Sequence, residues 1–468
     1  MKKIEDTIGD ILKLNMSKES VDKFNIYLII FGLITMMIPK ALYNFKIVEI
    51  PDLYNYFLFL LIPMVYIFIY NIKKKYHKNS IDFIFLTIFM VIVFVSSLHA
   101  FNPWIAFFGD ASRKTGFLTY IIYYFIYINS KNINNKEDVF KILNIMFIIG
   151  IINTIFALLQ SYLPYNNIFN KLYVNMAYGL IGNPNFLATF ALLLLSLSLY
   201  ISLFINNNKF YKIVSYIMFV CLVLSSSTGP FLTFILLLCS LFIYILIKKR
   251  DKLKKLIIYT VVFILLFIGI EGSSIYINQK IYKYEVKKTG LISKDITNII
   301  NIIGNKFSYK DTVSDNVELD YEYDKVDAVN AVSSGRLSLY KIVARYISQG
   351  NYIWLGTGPD NMNIYHIDWV DSNNRTTMTN YDKAHNVYLN VLAETGIFSL
   401  IVYIAWIVSY HLKTKKCKNE LMYLLLFGLI SYNIQGLFNI DVFMVMPYYF
   451  IIAGMLMGIG DKLETRKH

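Results

Sequence analysis

Residues 231–271 read FLTFILLLCSLFIYILIKKRDKLKKLIIYTVVFILLFIGIE, two apolar runs hinged on a dense basic turn. A helix needs roughly 20 apolar residues to cross a hydrocarbon core, so 231–247 and 256–271 are expected to span a bilayer. Lys248, Lys249, Arg250, Lys252, Lys254 and Lys255 lie between them. Directly afterwards the pattern stops. From about Gly272 to Ala384 the chain runs through ~110 mostly polar residues, far more than a turn between spans requires.

Working outward, comparable apolar runs fall near 25–40, 54–71, 82–99, 116–129, 140–162, 185–205, 211–226, 387–411, 420–437 and 442–460, about twelve spans in all. With 56% hydrophobic and 16% charged residues over 468 positions, the chain is too apolar for a soluble protein and too helix-patterned for an outer-membrane barrel. The expected fold is an all-α polytopic membrane bundle of about 12 transmembrane helices, with a large external loop between the ninth and tenth spans.

The net charge of +14 is better explained by topology than by nucleic-acid binding. Basic residues collect after alternate spans: Lys73 to Lys75 and Lys78, Lys131 and Lys136, Lys209 and Lys212, the 248–255 turn, and Lys413, Lys415, Lys416 and Lys418. The positive-inside rule then places both termini in the cytoplasm and the long loop outside. The implied organisation is a cytoplasmic segment 1–23, a bundle of about nine spans over 24–271, an external loop domain 272–384, about three spans over 385–461, and a cytoplasmic tail 462–468. Ile4, Ile8, Ile11 and Leu12 form an amphipathic run with no cleavage site after it, read as an interfacial helix or a disordered tail rather than a signal peptide.

Cys221 and Cys239 lie in apolar runs and Cys417 in a basic loop, so the long loop has no disulfide framework or thiolate metal site. Within the spans, Glu271, Glu394 and Asp441 sit only near the ends. No acidic or histidine relay crosses the membrane, which counts against a proton-coupled transporter and leaves open a flippase with a hydrated groove.

The polar groups suited to chemistry gather at one surface. Ser333-Ser334-Gly335-Arg336 opens a segment in which Leu337, Tyr340, Ala344 and Ile347 recur at helical spacing, an amphipathic external helix. Arg336 in its first turn joins a guanidinium to the free donors of a helix start, a good phosphate site. Arg345, nine residues on, is nearly half a turn out of phase, and snorkelling explains it as readily as ligand binding. Gly356-Thr357-Gly358 suits either a phosphate loop or a tight turn. His385 lies where the loop re-enters the membrane, and a neutral imidazole there can accept a proton from an attacking hydroxyl, with Asp382 placed to orient it. A surface histidine would read the same way in sequence. Arg113 and Lys114 are the only clustered positive charges in an earlier external loop, explained by an anionic substrate or by topological noise. Gly182-Asn183-Pro184-Asn185 and Ser225 to Pro230 supply donors near span ends, or simply caps and breaks.

These pieces, in this order over roughly residues 95 to 455, resemble the O-antigen ligase and O-antigen polymerase family of bacterial membrane glycosyltransferases. The shared motifs are Gly182 to Asn185, Ser227 to Gly229, Gly335-Arg336 with Tyr340, Gly356 to Gly358, His385 to Leu389 and Glu394 to Gly396. The resemblance implies a multi-pass protein of the cytoplasmic (inner) membrane that moves an undecaprenyl-diphosphate-linked glycan onto a hydroxyl acceptor at the outer face. It acts either as a ligase, with a core lipid or protein acceptor, or as a surface polysaccharide polymerase.

It further implies Arg336 as a diphosphate ligand, with Arg113 or Arg345 as a second one, and His385 as the catalytic base with Asp382 beside it. Asn386, Asn183, Asn185 and Thr228 would support the site, with no nucleotide, cofactor or metal. One departure stands out: Thr228 occupies the place where the family commonly has arginine. The rival expectation is a lipid-linked oligosaccharide flippase or other polytopic transporter.

Overall fold

The protein is seen in a computed structural model describing residues 16–35, 53–74, 80–110, 113–163, 176–277, 352–362, 366–370, 376–380, 382–441 and 443–465, with Ile292, Leu339, Tyr340, Val343, Ala344 and Ile347. Arg336, Arg345, Leu337, the N-terminal amphipathic run and, apart from Ile292, the 280–329 stretch lie outside the described residues.

Among the described residues the elements are, in order, α1 (Lys18–Thr35), α2 (Leu53–Lys73), α3 (Ile81–Leu98), the short α4 (Pro103–Phe108), α5 (Phe117–Ser130) and α6 (Lys136–Tyr162). They continue with α7 (Pro184–Tyr200), which runs on through a π-helical turn to Ile205, then α8 (Lys209–Leu224), α9 (Thr228–Lys248) and α10 (Leu253–Tyr276). After α11 (Tyr352–Leu355) come strands β1 (His366–Val370) and β2 (Thr376–Asn380), then α12 (Val387–Cys417), α13 (Glu420–Gln435) and α14 (Met446–Thr465).

Where the apolar runs expected to span the membrane are described, they are helical for most of their length. Six segments among the described residues are long and apolar enough to cross a bilayer: Ile81–Leu98, Lys136–Tyr162, Pro184–Ile205, Thr228–Lys248, Arg250–Ser274 and Val387–Cys417. The expected all-α bundle is accompanied, among the described residues, by one strand pair. β1 and β2 pair antiparallel, His366 opposite Asn380 and Val370 opposite Thr376. Their β-branched and aromatic content, HIDWV and TTMTN, carried that signal. The first helix also begins at Lys18, ahead of the expected run.

Asparagine starts many of these helices. Asn102, Asn135, Asn183, Asn208, Asn386 and Asn419 each accept a backbone N–H of the following turn through the side chain. This satisfies a donor that no intrahelical carbonyl can reach.

Burial sorts the helices into an inner and an outer set. Every residue of α7 from Leu187 to Leu199 is buried, as is α14 from Met446 to Gly460, which explains their apolar character on all sides. By contrast α10 leaves Ile257, Val261, Ile264, Leu265 and Ile268 exposed, a lipid-facing stripe. In the centre, Phe450 stacks between Tyr123 at 5.1 Å and Trp406 at 5.2 Å. α14 packs on α5 and α13, α7 on α8 and α13, and α3 on α12.

The two ends of the bundle differ. At one, Lys131 bridges Asp82 at 2.7 Å and Asp461 at 2.9 Å, while Lys413 joins Asp461 and Glu464. This end carries the basic loops. Two cavities, of about 530 and 730 Å³, open there beside Lys462 and Lys413. The other end gathers the C-terminus of α3, α4, the starts of α7, α9 and α12, and the connection from α13 to α14.

Candidate functional site

At that second end α12 is broken. Gly396 adopts φ 84° and ψ 177°, dividing a short leading helix from the long one that follows. A Cβ at Gly396 would lie 2.0 Å from the carbonyl oxygen of Trp354, and one at Gly356, where φ is 68°, would lie 2.2 Å from the backbone of Glu394. Glycine at both positions is therefore a condition of the contact. The break exposes carbonyls that a continuous helix would consume. Thr357 N donates to Ala393 O at 3.0 Å, Gly358 N to Glu394 O at 2.8 Å, and Ser96 Oγ also donates to Glu394 O at 2.9 Å. The Gly-x-Gly turn and the Glu-x-Gly motif are thus two halves of one joint, which accounts for the turn without any phosphate.

His385 stands just ahead of this leading helix, in a left-handed conformation with φ 51°. Asn386 follows as its cap, accepting from Tyr388 N and Leu389 N, and its Nδ2 donates to Leu437 O at 3.1 Å. Val387 N donates to Gly436 O at 2.8 Å. The hydroxyl of Tyr340 donates to the carbonyls of His385, at 3.2 Å, and Leu437, at 3.1 Å. A helical segment of the long loop thereby touches the histidine's own backbone.

Leu339 and Val343 of that segment are buried against Met362, Ala384 and Ala393, with Ile347 packed beside them. Among the described residues of this segment Leu339 and Val343 are buried and Tyr340 and Ile347 half-buried, so of the expected series Ala344 is the one that turns outward. Ala344 is exposed. The larger Val343 gains more than alanine from burial.

A second cluster was not foreseen. Lys383 Nζ lies 2.5 Å from Asp360 Oδ1 and 2.7 Å from Glu394 Oε1, with side-chain exposures of 2, 0 and 1%. Asp360 also accepts from Asp110 N at 2.9 Å, from Thr115 N at 2.7 Å and from the Thr115 hydroxyl. Burial opposes the charge on Asp360, yet the Lys383 ammonium and these donors hold its carboxyl below the ordinary value. Burial likewise opposes the Lys383 ammonium, and the two carboxylates overcome it, raising Lys383 above the usual lysine range.

Arg113 sits on the 110–115 loop that Asp360 closes. Its Nε donates to Asp382 Oδ2 at 2.5 Å, and its guanidinium lies 6.0 Å from the ring centroid of Phe186 at the start of α7. Asp382, expected to orient His385, is engaged by Arg113. Behind Phe186, Asn183 caps α7 by accepting from Asn185 N at 2.9 Å. Asn185 Oδ1 accepts from Ser227 Oγ at 2.7 Å, and Asn439 Nδ2 donates to Asn185 O and to Thr189 Oγ1. Thr228 is the first residue of α9, next to Ser227. The structure therefore brings together Arg113, Asp382, Asn183, Asn185, Thr228, His385 and Asn386 at one end.

Strain concentrates there too. Of the non-glycine residues with positive φ, Lys114, Ser226, Asp360 and His385 belong to this end, and only Lys418 lies at the other, among the described residues. Asp441, half-buried in the connection from α13 to α14, accepts from the Tyr432 hydroxyl at 3.3 Å, and burial pushes its carboxyl up to about 7. Among the described residues no group of three or more His, Cys, Asp and Glu side chains is placed to hold a metal ion.

Residues 213–404 match the family model described as O-Antigen ligase. The comparison with curated proteins gives no match.

Proposed function

We propose that this chain, whose residues 213–404 match the O-antigen ligase family and whose apolar helices are long enough to cross a membrane, transfers a polyprenyl-diphosphate-linked glycan to a hydroxyl acceptor at the end of the bundle that carries His385. That end faces outward in this reading. The acceptor oxygen attacks the anomeric carbon, its proton passes to the neutral imidazole of His385, and the bond from that carbon to the diphosphate breaks. The polyprenyl diphosphate leaves with the bonding pair. Arginines neutralise the charge that develops on it.

The observation that carries this reading is the ion pair of Arg113 with Asp382, which sets a guanidinium beside the segment bearing His385. Arg113 also makes good the departure at Thr228: it lies over Phe186, whose neighbour Asn185 bonds Ser227. Its Nε faces Asp382 and its two terminal amino groups remain as a fork for phosphate oxygens. Arg336 is the first diphosphate ligand in this reading, supported by its position four residues before Tyr340, whose hydroxyl reaches His385 O. Arg345 is the reserve. Asn386 and Asn183 act by capping, fixing the helix starts on which His385 and Phe186 depend.

The test is purified protein with a lipid-diphosphate glycan and candidate acceptors, measuring release of polyprenyl diphosphate for wild type, Arg336→Ala and His385→Ala. Variants as active as wild type would sink the mechanism. No release with any acceptor turns the reading to a transporter. Which acceptor supports turnover separates ligase from polymerase.

A further inference from the structure

The Asp360, Lys383 and Glu394 cluster is not used in the reaction just described, yet it joins the loop bearing Arg113 to the segment bearing His385. Asp360 gathers the 110–115 loop through Asp110 N, Thr115 N and the Thr115 hydroxyl. Glu394 belongs to the leading part of α12, behind His385. Lys383 ties the two together and is itself two residues from His385. One residue away, Asp382 holds Arg113. The 110–115 loop and the 382–385 segment are thus joined by two adjacent rungs, one buried and one half-exposed.

Buried ion pairs contribute little net stability over an apolar filling of the same volume, because desolvation offsets attraction. What three buried charges do supply is a fixed direction, since an ammonium between two carboxylates admits few geometries. We propose that Lys383 is a positioning residue: by clamping Asp360 and Glu394 it fixes the Arg113 loop against the His385 segment, so that both side chains address one diphosphate-linked substrate. The inference rests on the functional reading above and deepens it. Lys383 does not touch the substrate; it acts through Arg113 and His385.

Lys131 provides the control. It is also a buried lysine bridging two carboxylates, Asp82 and Asp461, but at the opposite end of the bundle. The experiment measures binding of undecaprenyl diphosphate to full-length protein in lipid nanodiscs, for wild type, Arg113→Ala, Lys383→Met and Lys131→Met, with the melting temperature of each. Lys383→Met should weaken binding at least tenfold, and Lys131→Met should bind within threefold of wild type while melting earlier.

If Lys383→Met does not fold, Lys383→Met/Glu394→Gln is measured in its place. It carries the same formal charge of −1 as the wild-type cluster but lacks the clamp, and the same tenfold loss is expected. Equal effects of the two lysine variants, or wild-type binding by the variant without the clamp, would overturn the proposal while leaving the functional reading intact. Failure of wild type to bind, or unchanged binding by Arg113→Ala, would instead strike the functional reading and remove what Lys383 is held to position.

Discussion

Arg113 and Asp382, 269 residues apart in the chain, meet at 2.5 Å between Nε and Oδ2. One belongs to a short loop after α4 and the other to the segment that leads into α12, so the pair measures how closely two distant parts of the site are docked. Its side chains are 24 and 39% exposed, which leaves the guanidinium open to a ligand. In the proposed reading the carboxylate occupies one edge of the guanidinium and the diphosphate would take the other.

Arg113→Ala is expected to lower release of polyprenyl diphosphate by about 10- to 100-fold, roughly the worth of one charge-assisted contact to a phosphate. Arg113→Lys should recover only part, since an ammonium keeps the charge and loses the fork. Initial rates at saturating acceptor decide the matter, and a wild-type rate in the alanine variant would remove Arg113 from the site.

His385→Asn should reduce turnover by about 10²- to 10⁴-fold, the usual contribution of a positioned base. Asparagine tolerates the left-handed backbone found here, φ 51°. The melting temperature should therefore stay near that of wild type, and a fall in rate matched by a fall in stability would speak for a structural role alone.

Gly396→Ala and Gly356→Ala test the joint. A methyl group at Gly396 would sit 2.0 Å from Trp354 O, and at Gly356 2.2 Å from Glu394 C, each at a positive φ. Neither neighbour is a side chain that can swing away. Each substitution is expected to destabilise by about 3 kcal/mol or more. Thermal unfolding in detergent should show a drop well beyond that of Gly272→Ala, where a Cβ meets nothing within 4 Å.

The Asp360 and Lys383 pairing carries its own pH signature. Asp360 has a lowered folded value, so its contribution is complete above the unfolded carboxyl range, about 4, and is lost as pH falls through the folded value. Lys383 has a raised folded value, so its contribution is complete below about 10.4 and fades only as pH rises beyond that. The difference in melting temperature between wild type and Asp360→Asn should shrink as pH drops below about 4. A difference that instead grew on acidification would contradict the assignment.

Much of the architecture was legible in the sequence, for a definite reason. A chain crossing hydrocarbon must satisfy its own backbone, so long apolar runs become helices wherever they fall, as the described parts of the expected runs do. Asparagines at Asn183 and Asn386 announced helix starts because capping is a local interaction. Local pattern was less secure in the long loop. The pairing of 366–370 with 376–380 went unforeseen, as did the burial of Val343 in place of Ala344, since which of two adjacent apolar residues turns inward is settled by the surface it meets.

The site is the opposite case. Sequence marked Gly356 to Gly358, Glu394 to Gly396, Arg113 and His385 as separate signals, and gave Lys383 no role. Only packing joined the two glycine motifs, diverted Asp382 to Arg113, and enclosed Lys383 between carboxylates. The reason is physical: helix formation depends on neighbours within a turn, whereas the pairing of Thr115 with Asp360, across 245 residues, depends on where a broken helix lets two loops approach. The sequence by itself determined that this is a membrane protein with helices in these places, and the tertiary structure alone decided which polar groups share one end of it.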